Sequence, residues 1–163
     1  MPSPLVHAII AHMDSVFYGP NGDYPAVLEV LDGITAEQAL WKPSPSQNSI
    51  WQIVEHMIGS KQWQIEMIQG KEPASPKWTE PSGDEAAWQA TLVRLEETHQ
   101  RLKAALEAEP EPDLMEVPVP ELGRTLLELV LSSGPAHEAH HDGQIDYLKG
   151  LQKPPSVASS AAP

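Results

Sequence analysis

The chain has 163 residues, no cysteine and a formal charge of −13 from 23 acidic and 10 basic residues. That length fits one domain, and a hydrophobic content of 40% is enough for a real core. The missing thiols exclude disulfides, thiolate metal ligands and a cysteine nucleophile, and the acidity argues against a nucleic-acid partner because it repels phosphate backbones.

The start, Met1-Pro-Ser-Pro-Leu-Val-His7, lacks the basic region and long apolar stretch of a signal peptide. No apolar run approaches the roughly 20 residues of a membrane span. The sequence therefore reads as a cytoplasmic protein with no membrane partner.

Proline marks out the elements. The 17 prolines fall in clusters, and proline interrupts helix interiors, so the intervals between clusters are the candidate helices. In chain order these intervals are about 5–18, 46–72, 82–109 and 121–153, with a shorter helical turn at 35–41. Thr35 with Gln38 supports the short turn. Ser49 with Gln52 forms a capping box for the second long helix, and Ser82 with Glu85 predicts one for the third, with Asp84 at its positive end. Inside the last interval, Gly134-Pro135 predicts either a kink near 131–135 or a helix that begins afresh at Pro135. No segment alternates convincingly with a strand's period of two. The organisation expected is one all-helical domain over 1–153 and a disordered tail over 154–163, which has no apolar face to bury.

One face of the last helix carries the chemistry. His137, His141, Ile145, Leu148 and Leu151 recur at spacings of four and three, so they share a stripe. Two histidines thus occupy core-facing positions, where an unpaired polar group costs a few kcal/mol. Imidazoles four residues apart, about 6 Å on a helix, can converge on one metal ion. The pair alone is a weak signal and reads first as two half-buried histidines bonded to neighbours or water. A third, His56, lies near the inward edge of the second helix, on the side of Ile53, Ser60 and Trp63. Facing helices of a bundle can build a metal site in their core, and three neutral histidines leave an open position for zinc or nickel. His140 is three residues from His137 and replaces His141 if the helix is rolled; register with Ile145 and Leu148 favours His141. His7 and His12 do not share a face. His99, among Glu96, Glu97, Gln100 and Arg101, reads as surface. Gln144 and Glu55 are candidate partners for ring N–H groups. Trp51, Trp63 and Trp88 read as core or as pocket lining.

His137-Glu-Ala-His-His141 formally matches H-E-x-x-H, in which Glu138 serves a metallopeptidase as general base. Only 22 residues follow His141, none of them a His or Glu for a downstream ligand, and no strand is present to receive a peptide. Glu138 therefore reads as a helix-surface charge or an outer partner of the histidines.

Two segments carry a family resemblance. His137-x-x-x-His141-x-Gly143-Gln144-Ile145 resembles the closing motif of the DinB/YfiT-like superfamily. Ala36-Glu-Gln-Ala-Leu-Trp41-Lys-Pro43, leading into Asn48-Ser-Ile-Trp51-Gln-Ile-Val-Glu-His56, resembles its earlier one. The resemblance covers roughly 5–152, with its specific motifs confined to 36–56 and 137–148. It implies an up-down-down-up four-helix bundle, often a homodimer, with a divalent metal on His56, His137 and His141. It also implies a pocket above the metal for a small-molecule substrate. Members with known activity are thiol-dependent transferases and isomerases that use a low-molecular-weight thiol such as bacillithiol or mycothiol. A hydrolase using metal-bound water and a non-catalytic stress-related helical protein are the alternatives.

Overall fold

The computed structural model describes residues 3–20, 22 and 24–153. Among these the chain is all helical, its single β-like feature being an isolated bridge between Val119 and Arg124. The predicted tail at 154–163 lies outside the described residues. No helix among them is long and apolar enough to cross a membrane.

Four helices precede the first long connection: α1 (Pro4–Tyr18), α2 (Val27–Leu31), α3 (Ala36–Leu40) and α4 (Ile50–Ile68). Then come α5 (Glu85–Ala108), two 3-10 turns (Glu111–Met115 and Pro120–Leu122), α6 (Leu126–Ser133) and α7 (Pro135–Gln152). Most starts are capped by a short polar side chain that accepts from an otherwise orphaned N–H. Ser3 accepts from Val6, and Thr35, Ser49 and Thr125 each form a reciprocal box with Gln38, Gln52 and Glu128. The third long helix departs from the expected start. Asp84 caps it by accepting from Ala87, so α5 opens at Glu85, whose carboxylate instead accepts from the Ala36 N–H and ties α5 to α3.

The last interval contains two helices. Gly134 ends α6 and opens α7, with backbone angles φ −95° and ψ −109° that no helix continues through. Proline then sits in the first turn of α7, where its missing N–H costs nothing. The second of the two readings of Gly134-Pro135 is the one observed.

Helix α4 is central, packed against α3, α5, α6 and α7, while α1 packs against α2, α5 and α7. The apolar interior forms two clusters. One gathers Phe17, Val27, Trp51, Val54, Trp88, Leu95 and Ile145; the other gathers Val6, Met13, Ile65, Leu102, Leu126 and Val130. On α1, α4 and α5 a polar residue separates the two clusters along the sequence: half-buried Asp14, buried Lys61 and buried His99; on α7, buried Glu138 precedes the cluster residues Ile145 and Leu148.

Candidate functional site

His56 projects from α4, and His137 and His141 from successive turns of α7. Their rings meet at one point. His137 Nε2 lies 3.1 Å from His56 Nε2 and 3.0 Å from His141 Nε2. The three candidate ligand nitrogens all fall within 4.8 Å of one another. His141 is 4% exposed; the other two are half-buried.

Burial is the first cause of their electrostatics. It holds His137 down to about 3, with positive charge on His141, His56, His140 and Lys61 opposing protonation further. It holds His141 down to about 4, against a raising bond to Gln144. Burial also lowers His56. All three are therefore neutral imidazoles near pH 7, the form that binds a metal.

The ring nitrogens cannot satisfy one another. A neutral imidazole Nε2 offers either one proton or one lone pair, and His137 Nε2 faces two such atoms at once. A cation resolves this if every Nε2 presents a lone pair and every Nδ1 carries the proton. His141 meets that condition: its Nδ1–H donates to Gln144 Oε1 at 2.7 Å, while Gln144 Nε2–H donates to His140 Nε2 at 3.1 Å. The Nδ1 atoms of His56 and His137 are buried without a hydrogen-bond partner. These residues fit a divalent ion by donor type and convergence, and could hold one. His140 is exposed and serves to fasten Gln144 rather than to join the cluster.

The surroundings are mostly apolar. Trp78, 44% exposed, stacks its ring on His56 with centroids 4.2 Å apart and 8° between planes. A cavity of about 200 Å³ beside the histidines is lined by His56, Ser60, Trp63, Ser75, Pro76, Ser133 and His137. Gln144 lines a second cavity of about 330 Å³ with Asn48, Ile53 and Tyr147.

Several expectations are corrected. Glu138 is no surface charge: it is 3% exposed and ion-paired to Lys61. Its other carboxylate oxygen has no hydrogen-bond partner. His99 is no surface residue either. It is fully buried, stacked on Phe17 at 4.0 Å, accepts from Lys61 Nζ at 3.0 Å and donates to Asp14 at 3.0 Å. Glu55 pairs with Arg94, not with a histidine. Leu151 leaves the apolar stripe and is 46% exposed. Trp51 and Trp88 are core, and Trp63 lines the cavity.

The sequence reading missed Lys61, Asp142 and Trp78. Asp142 is buried with both carboxylate oxygens unpartnered, and burial, with the Glu138 charge beside it, pushes its carboxyl up to about 8. Periodicity marks the positions of the first two as inward but not their partners. Lys61 falls four residues from both Met57 and Ile65, and Asp142 shares a stripe with Ile145.

The assembly is thus an all-helical protein whose core side chains draw three neutral histidines from two helices to one point. A family model for the DinB superfamily matches residues 23–145, a span that contains all three. The chain belongs to the DinB superfamily. No match was found among curated proteins or among solved structures.

Proposed function

We propose that the protein is a metal-dependent enzyme with a divalent ion, zinc or nickel, held by His56, His137 and His141. The reaction is transfer chemistry on a small molecule through a low-molecular-weight thiol. The observation that carries this reading is the meeting of three Nε2 atoms that cannot satisfy one another. A bound cation lowers the pKa of a thiol or water that it binds, supplying a nucleophile at neutral pH.

The chain's own residues favour a thiol over water. Hydrolysis and peptidase chemistry gain from a carboxylate base facing the ion, and Glu138 is instead engaged by Lys61. A thiol that loses its proton on binding needs no such base. The cavity on His56 and His137 has no charged side chain in its lining, so it suits a small uncharged group of the substrate. The same reading adopts the up-down-down-up four-helix bundle as topology and a homodimer as assembly, the latter checked by sedimentation.

The test is elemental analysis of untagged protein beside His141→Ala, followed by assays with several small thiols and an electrophilic acceptor. Stoichiometric metal that is lost in the variant, with thiol-dependent turnover, is expected. Metal-free protein defeats the site; metal without turnover on any thiol defeats the chemistry and favours the non-catalytic alternative.

A further inference from the structure

The first two turns of α7 present a problem of registration. Their buried residues are Pro135, Glu138, His141 and Asp142, and the aliphatic anchors of the helix begin only at Ile145. Apolar packing usually fixes the roll of a helix, and here proline supplies its one contribution beside the ligands. Continuity with α6 cannot fix it, because Gly134 breaks the helix immediately before.

A buried ion pair stands in that place. Lys61 and Glu138 are 1% and 3% exposed and join α4 to α7. The same two helices carry the histidines: Lys61 is five residues beyond His56, and Glu138 follows His137. Lys61 is itself held rigidly. Its Nζ donates to His99 at 3.0 Å and sits 4.7 Å over the Phe17 ring, and His99 donates to Asp14, which Lys103 also engages at 2.7 Å. This chain of contacts therefore ties α1, α4, α5 and α7 together.

We infer that Lys61 is a positioning residue for the histidine centre: its ion pair with Glu138 sets the roll of α7 so that His137 and His141 face His56. Resting on the metal-site reading above, it explains why a buried pair is kept. Apolar residues of similar volume would stabilise a core at least as well, so what the pair adds is a defined arrangement.

The experiment compares wild type with Lys61→Met and with Lys61→Met/Glu138→Leu. The single variant strands a buried carboxylate and can fail to fold. The double variant removes both charges, leaves the net charge unchanged and fills the space, but also removes the donor to buried His99, so it is expected to fold with urea stability near that of wild type. Cobalt(II) absorption and zinc competition against a chelator then read the site directly. A tenfold or greater loss of affinity in the folded double variant, with an altered cobalt spectrum, is expected. Wild-type affinity in that variant overturns the positioning role alone. A wild-type protein that binds no cation overturns the metal site and this inference together.

Discussion

Gln144 shows how much a single exposed amide decides. Its carbonyl takes the proton side of His141, and its amide nitrogen is committed to His140, so its own orientation is fixed. Leucine at 144 leaves the His141 tautomer free. Outer partners of this kind typically contribute 10–100-fold to metal affinity. Gln144→Leu is therefore expected to weaken zinc binding by roughly that factor in a chelator competition, with unchanged helical circular dichroism because the residue is exposed. The row of histidines on α7 was legible in the sequence because histidine is conspicuous on an apolar stripe. Lys61 was not, because a lone lysine amid a helix is ordinarily a solvated charge and nothing in the sequence shows that its head has a buried partner 77 positions away. Trp78 was hidden differently: it lies in a proline-rich connection with no period to place it, yet stacks on His56.

Helices α6 and α7 meet at a position where a side chain has no room. A β-carbon on Gly134 would lie 2.5 Å from the Val130 carbonyl oxygen and 3.2 Å from Gln64 Oε1. The first neighbour is backbone and cannot yield without moving α6. The second belongs to the amide that donates to the Ser133 carbonyl at 2.8 Å and so holds the break to α4. Gly134→Ala is expected to destabilise the protein by about 1–3 kcal/mol in urea unfolding, the usual range for overpacking. Proline spacing had located the four long intervals, since a helix interior does not tolerate the missing N–H. It overran their ends: the second interval, read as 46–72, is helical only over Ile50–Ile68, because the Ser49 box sets the start and Gly70, at φ +70°, lies just past the end. The five-residue helix Val27–Leu31 was illegible, being too short to show a helical period and capped from Glu29 rather than from a polar N-cap side chain.

Across the whole molecule, burial shifts two kinds of group in opposite senses, and the balance sets the pH of greatest stability. In the metal-free protein His137 is held to about 3, and His141 and His99 to about 4, each from 6.5, with His56 also lowered. A lowered imidazole keeps its full stabilising effect above the unfolded value and loses it as pH falls through the folded one, because the unfolded state then binds more protons. These residues therefore erode stability from about pH 6.5 downward. Asp142 acts the other way. Its carboxyl rises from 3.8 to about 8, chiefly by burial, so the folded state holds a proton that the unfolded state has released. Stability from this group declines as pH rises from about 4 to about 8. Between 4 and 6.5 the histidines outnumber the one aspartate; between 6.5 and 8 the aspartate acts alone. Metal-free protein is expected to reach its highest urea midpoint near pH 6.5 and to fall on both sides. Asp142→Asn cannot titrate, so it should flatten the decline between 6.5 and 8 while leaving the acid limb in place. A midpoint in the wild type that keeps climbing to pH 8 would show that Asp142 finds a partner for its charge in the folded core, and would remove the upper limb from this account.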